Sequence, residues 1–277
     1  MRVNGVELCV ETFGDPADPA ILLVMGSGAS MDWWEDAFCA RLQAGGRFVI
    51  RYDHRDTGQS VSYEPGAPAY SSADLVADAV GVIGALDLGA AHVVGMSMGG
   101  AIAQLAALDH GDRVASLTLI STSPAGPDAD LPGMTERARR AFAAPQPDLS
   151  DRPALLDHLT NLNRALASPT RPFDEAGTRA LWQRVLDRTA NVEASLANHD
   201  ALDGGDRWRE RLGAISVPTL VIHGTEDPFL PYAHGVALAR EIPGARLLPL
   251  EHTGHELPRP VWDVVVPAIL AHTARRA

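Results

Sequence analysis

The stretch that most constrains this chain is His92-Val93-Val94-Gly95-Met96-Ser97-Met98-Gly99-Gly100. A short apolar run leads into Gly-x-Ser-x-Gly, and small residues follow at Gly99, Gly100, Ala101 and Ala103. The pattern predicts a buried strand, a sharp turn and a helix. Such a turn forces Ser97 into an unfavourable backbone conformation and lifts its hydroxyl above the sheet edge. Gly95 and Gly99 are then required because strand and helix pass too closely for side chains. The helix that starts after Ser97 aims its positive end at the place where an oxyanion would form. Short motifs recur by chance, so this one takes its meaning from the strand before it and the helix after it.

The rest of the chain supplies a matching frame. Val6 to Phe13 reads as a strand after an Asn4-Gly5 turn and is broken by Gly14-Asp15-Pro16. Ile21 to Met25 is wholly apolar, as in the centre of a sheet covered on both faces. Phe48 to Ile50, Val93 to Met96, Leu117 to Ile120, Pro218 to Ile222 and Ala245 to Leu250 are further strands. Ser71 to Leu88 has helical spacing with Gly89 as its stop, Ala101 to Asp109 is a helix closed by Gly111, and Pro260 to His272 closes the chain. Strands alternating with helices specify an α/β fold with a mostly parallel sheet and right-handed crossovers.

From Ser123 to Arg209 the pattern changes. Eight of the chain's 20 prolines fall there and no strand-like run is visible, while Met134 to Ala143 and Ala176 to Leu186 have helical spacing. The expected organisation is a core of residues 1–122 and 210–277 with a mainly helical lid, residues 123–209, inserted between two strands. Surface helices without contact to substrate are the plainer alternative.

A serine hydroxyl is a weak nucleophile until an imidazole takes its proton, and the imidazole needs a carboxylate to hold its tautomer. In an open parallel sheet these groups gather on loops beyond the carboxyl ends of the strands. The loop after Ile222 offers Glu226 and Asp227. Asp227 is preferred because Pro228 holds it extended, although an Asp there is also a common turn former. The loop after Leu250 offers His252 and His255, and His255, after Gly254 and before the last helix, is preferred. The other eight histidines have no comparable placement and are expected mostly at the surface, with His92 at a strand start. The N–H groups of Met98 and Ser27 are the expected oxyanion donors, the second within the Gly26-Ser27-Gly28 turn. Gly26, Trp34 and Phe229 are candidate pocket residues, with Trp33 beside them. Arg51, Asp53, His54 and Arg55 read as an ion-pair cluster bracing the turn at Ser97.

Composition narrows the partners. The 277 residues fit one large domain, and 46% hydrophobic residues allow a sizeable core. With 23 basic against 35 acidic residues the net charge is −12, which argues against nucleic acid or an anionic membrane as partner. The N-terminus lacks the apolar core of a signal peptide, and no run is long enough to span a membrane. Cys9 and Cys39 form neither a disulfide framework nor a metal spacing, and both read as buried thiols of a cytoplasmic protein. No metal, dinucleotide or phosphate-loop pattern is present, so no cofactor is implied.

These residues together resemble the α/β-hydrolase fold superfamily over nearly the whole chain, and more narrowly the aclacinomycin methylesterase type of bacterial esterase. The likeness is carried by Phe13 to Ala20, Leu23-Val24-Met25-Gly26, Arg51 to Gly58, Ala91 to Gly99, Val217 to Ile222, and Gly254-His255 with Leu257-Pro258. It implies a Ser97, Asp227 and His255 triad and methyl esters of glycosylated aromatic polyketides as substrates. Met25 stands where many superfamily members carry histidine, so no side-chain role is expected there. The chemistry expected is a serine carboxylesterase acting on a small-molecule ester. The same triad would serve a perhydrolase or cofactor-free haloperoxidase, and a ligand-binding protein on a hydrolase scaffold is the non-enzymatic alternative. Serine at 97 disfavours an aspartate-nucleophile dehalogenase or epoxide hydrolase.

Overall fold

The computed structural model describes residues 1–124, 128–203 and 205–274. Its centre is a seven-stranded sheet of β3 (Val10–Phe13), β4 (Ala20–Val24), β5 (Phe48–Tyr52), β6 (Ala91–Met96), β7 (Val114–Ile120), β8 (Thr219–Gly224) and β9 (Arg246–Leu250). The order is β3-β5-β4-β6-β7-β8-β9, and only β3 runs antiparallel. The expected single strand from Val6 to Phe13 is divided. Val6–Glu7 (β2) folds back on Arg2–Val3 (β1) as a hairpin, and the chain enters the sheet only at Val10. Asn4 and Gly5 turn that hairpin with positive φ.

The central strands are apolar on both faces because each face carries its own core. Leu22 and Val24 of β4 point into one cluster with Leu75, Val76, Ile102, Ala103 and Leu238. Those partners come from α2 (Ser72–Ala85), α3 (Met98–Asp109) and α8 (Ala233–Glu241). Ile21 and Leu23 point the other way, towards Phe38, Leu42, Val265 and Ile269 of α1 (Asp36–Ala44) and α9 (Trp262–His272). Each such side chain taken fully from water contributes roughly 1.5–3 kcal/mol. The α2 helix starts on a reciprocal cap between Ser71 and Asp74 and ends at Ala85, earlier than its apolar pattern implies. Asp87, not Gly89, takes the positive φ of the exit, at 55°. The α3 helix starts at Met98, one residue after Ser97, and His110 rather than Gly111 ends it.

Between β7 and β8 lie α4 (Glu136–Phe142), α5 (Arg152–Leu166), α6 (Glu175–Arg188) and α7 (Val192–Ala197), with no strand among the described residues. Residues 125–127 and 204 of this stretch lie outside the described residues. A polar side chain caps each helix start: Thr135, Asp151, Asp174 and Asn191. The α5 helix has no counterpart in the sequence expectation. It forms because Asp151 caps it, Pro153 lies in its first turn, and Leu155, Leu156 and Leu159 make a buried stripe. That stripe packs on Trp182, Val185 and Leu186 of α6, a third apolar cluster separate from the sheet.

Contacts at Trp33 and at Asp53 are among those that fasten this helical segment to the core. Trp182 meets Trp33 edge-on at 5.1 Å. Arg188 donates to Asp53 at 2.6 Å and to Asp32 at 3.0 Å. The Asp53 side chain is fully buried and also accepts from the N–H groups of Met31 and Gln59. Burial pushes its carboxyl above the ordinary range, against the pull of Arg188 and those N–H groups. Removing the guanidinium would strand a buried carboxylate, which costs about 3–5 kcal/mol. Arg188→Met is expected to lose about 3 kcal/mol, the lower end because Arg188 keeps some solvent contact. Urea unfolding of the two proteins measures the difference.

Candidate active site

Ser97 stands at the carboxyl end of β6, mid-sheet, with φ 54° and ψ −120°. That is left-handed backbone for a non-glycine residue, worth on the order of 1–3 kcal/mol of strain. It persists because the surroundings over-determine it. The Ser97 N–H donates to the Ile120 carbonyl, and its own carbonyl accepts from Gly100, Ala101 and the Thr122 hydroxyl. A Cβ at Gly95 would overlap the backbone of Gly99, and one at Gly99 would overlap the Val24 carbonyl. Strand and helix are therefore in backbone contact.

The loops after β8 and β9 bring side chains to this hydroxyl. His255 Nε2 lies 3.1 Å from Ser97 Oγ, and His255 Nδ1 lies 2.8 Å from Asp227 Oδ2. A carboxylate accepts, so Nδ1 carries the proton and Nε2 offers its lone pair to the serine. Asp227 also makes the turn that its position suggests. Its Oδ1 accepts from the N–H groups of Phe229 and Leu230, leaving Oδ2 for the imidazole. Burial pushes the Asp227 carboxyl up, but the interaction and bond with His255, the nearby His223 and the Leu230 N–H outweigh it, so the net shift is downward. The rival residues sit elsewhere. Glu226 and His252 pair with each other at 3.1 Å and share Thr170. Bonds from Ser168, then Thr170, hold the Glu226 carboxyl down to about 2.

The Gly26-Ser27-Gly28 turn lies against Ser97. A Cβ at Gly26 would come 3.2 Å from the Ser97 Cβ and 3.7 Å from its hydroxyl oxygen. Among the described residues, no acceptor within the protein takes the N–H of Ser27 or of Met98. Two donors of the kind an oxyanion needs are thus left open. A cavity of about 580 Å³ opens over Ser97 and His255, lined by Gly26, Trp33, Trp34, Phe142, Leu159, Trp182, Phe229 and Leu257 among others. Phe229 lies edge-on to the His255 ring at 4.9 Å, and Trp34 stacks on Phe38 behind the wall.

Several expectations need correction. Arg51, Asp53, His54 and Arg55 do not pair among themselves at the Ser97 turn. Arg51 binds Glu11 and Asp36, Arg55 binds Asp78, Asp53 holds Arg188, and His54 Nε2 reaches the Met25 carbonyl. The cluster braces the turn at Met25 and its surroundings instead. Cys39 is buried but Cys9 is only half-buried, and both are free. His54, His199, His223 and His234 are buried rather than at the surface. His223 Nε2 lies 2.7 Å from the Leu230 carbonyl, directly behind Asp227. Its position in Val221-Ile222-His223-Gly224, inside an apolar strand, was the available signal.

With a mostly parallel sheet, a strained serine turn at the end of its central strand, and Asp227 and His255 beyond the ends of β8 and β9, the class is that of α/β hydrolases. The chain belongs to the α/β-hydrolase fold family, whose model matches residues 19–258. It is 36% identical over 283 residues to a rhodomycin D methylesterase of Streptomyces sp. (strain C5), covering 97% of this chain and 95% of that protein. The rhodomycin D methylesterase of Streptomyces peucetius is likewise 36% identical, over 284 residues, with the same coverage. Among solved structures, the enol-lactonase of Burkholderia xenovorans LB400 superposes with a TM-score of 0.76 at 26% identity, covering 98% of this chain and 97% of that one. The chain is therefore an enzyme of the carboxylic ester hydrolase class. Among the described residues, no helix is long and apolar enough to cross a membrane.

The buried imidazoles make stability pH-dependent. Burial, then the neighbouring His199, pushes the His54 pKa down to about 3. The unfolded chain binds that proton below about pH 6.5 while the folded one does not, so stability falls as pH drops through the window between 6.5 and 3. The slope for this one group approaches about 1.4 kcal/mol per pH unit. Denaturant unfolding from pH 7.5 to 5 is expected to show it, and His54→Gln to lower the slope by about one proton.

Proposed function

We propose that the chain is a serine carboxylesterase that works through an acyl-enzyme. The observation that carries this reading is the continuous bonding from Ser97 Oγ through the His255 ring to Asp227 Oδ2, beside two unengaged N–H groups. Ser97 Oγ attacks the ester carbonyl as its proton passes to His255 Nε2. The N–H groups of Ser27 and Met98 receive the oxyanion, each worth on the order of 3 kcal/mol in the transition state. Collapse of the intermediate breaks the bond to the alcohol, which leaves with the proton from His255. Water then repeats the sequence on the acyl-enzyme, releasing the carboxylic acid and restoring Ser97. Asp227 keeps Nδ1 protonated and stabilises the imidazolium, as its lowered pKa favours.

The substrate we infer is a methyl ester carried on an aromatic polyketide. Two considerations support it. The two relatives described above are named rhodomycin D methylesterases. The cavity is also large for a short ester, and its wall holds Trp33, Trp182, Phe142 and Phe229 for stacking on fused rings. Residues 123–209 then act as the lid, since α5 and α6 supply Leu159 and Trp182 to that wall. The two free thiols fit a cytoplasmic setting.

Ser97→Ala is expected to lower the hydrolysis of p-nitrophenyl acetate by at least about 10⁴-fold, and Asp227→Asn by about 10⁴-fold, with folding retained. Retained turnover in Ser97→Ala would refute the mechanism. A panel of esters read by kcat/KM should favour methyl esters on polycyclic aromatic acids over short aliphatic ones. The reverse order would remove the substrate inference and leave the mechanism standing. Halogenation that outpaces hydrolysis when peroxide is added would reassign the enzyme as a perhydrolase.

A further inference from the structure

The Gly26-Ser27-Gly28 turn is held from outside the sheet by a side chain 171 residues further along the chain. Gly28 N–H lies 2.9 Å from His199 Nδ1, and His199 Nε2 lies 2.9 Å from the Arg55 carbonyl. Hydrogen-bond chemistry decides the tautomer. A backbone N–H can only donate, so Nδ1 presents its lone pair, and a carbonyl can only accept, so Nε2 carries the proton. His199 is therefore neutral, and its burial favours that form. A proton on Nδ1 would face the Gly28 N–H and break the bond.

Hydrogen bonds hold its neighbours on both sides. The adjacent Asn198 donates to Asp56 and to the Glu64 carbonyl, and accepts from the Gly66 N–H. Two further bonds join the same segment to the turn, from the Ser195 hydroxyl to the Gly28 carbonyl and from the Ser27 hydroxyl to Asp200. At the other end of the turn, His54 holds the Met25 carbonyl. The peptide N–H of Ser27 lies between these two anchors, and its direction depends on both.

We propose that His199 is a positioning residue for the oxyanion donor Ser27, so that the segment after β7 completes a site otherwise built on the sheet. The proposal rests on the serine esterase reading given above. It makes the inserted helices part of catalysis as well as of the pocket wall. A lone pair at the Nδ1 position is the required feature, and an aromatic ring of the same shape without one does not suffice.

The test uses the full chain, p-nitrophenyl acetate, and kcat and KM measured separately for wild type, His199→Phe and His199→Asn. The phenyl ring fills the space with no acceptor, whereas the asparagine amide oxygen stands near the Nδ1 position. In His199→Phe, kcat is expected to fall about tenfold to a hundredfold with KM changed by less than about threefold. In His199→Asn, kcat should return to within about threefold of wild type. An unchanged kcat in His199→Phe overturns the proposal, as does an equal loss in both variants. Should His199→Phe not fold, imidazole ¹⁵N spectra of the wild type decide: a bare Nδ1 with a protonated Nε2 supports the proposal and the opposite tautomer overturns it. Labelling of Ser97 by a fluorophosphonate separates the two levels. Failure to label wild type removes the esterase reading and this proposal with it, while normal labelling with an unaffected His199→Phe removes the positioning role alone.

Discussion

The backbone contact between the end of β6 and the start of α3 is the constraint on which the rest depends. With Gly95 against Gly99 and Gly99 against Val24, the helix starts immediately after Ser97. No slack remains to relax the serine out of its left-handed conformation. The strain is offset by four hydrogen bonds to the Ser97 peptide and by the sheet on either side, whose β4, β6 and β7 are buried almost throughout. The same geometry leaves the Met98 N–H open, because the first residue of a helix has no intrahelical acceptor.

Around that fixed point the structure adds groups from distant parts of the chain. The loops after β8 and β9 are tied together by bonds from Thr225 to the Leu250 carbonyl and from Glu226 to the Thr253 carbonyl. Asp227 and His255 are thus held on one platform. The His255 N–H in turn donates to the Leu166 carbonyl at the end of α5, and Glu226 gathers Ser168 and Thr170. Glu226 and His252, plausible rivals for the triad on sequence, serve as fasteners between these loops and the helical segment. A carboxylate held low by hydroxyl donors suits fastening, because it stays charged and bonded.

The helical segment is joined to the core at both ends of the site by charged and polar groups. Arg188 reaches the buried Asp53, and Asn198 and His199 reach the loop after β5 and the turn after β4. Within the run read as an ion-pair cluster, Asp53 and the Arg55 carbonyl are the receiving side of these joints, while Arg51 and the Arg55 guanidinium pair with Glu11, Asp36 and Asp78 instead. Buried polar groups of this kind must be matched closely, since an unpaired one costs more than its bond contributes. They fix where the segment sits over Ser97, which apolar packing of α5 on α6 leaves open.

Much of this was legible in the residues alone, for local reasons. A run such as Ile21 to Val24 is apolar on both faces only if both faces are covered, and Gly-x-Ser-x-Gly after such a run encodes its own turn. Asp227 and His255 could be chosen because parallel strands deliver their loops to one edge. The hairpin that splits Val6 to Phe13, the early end of α2 at Ala85, the burial of His54, His199 and His234 and the bond from His199 to Gly28 were not legible. Each depends on partners tens to hundreds of residues away, or on competition between a local pattern and packing. The sequence by itself determined the sheet, the strained serine and the order of the chemical groups, because those follow from periodicity and short-range sterics. Only the tertiary structure decided which buried polar groups meet and how the inserted helices join the site, because that depends on three-dimensional pairing across the chain.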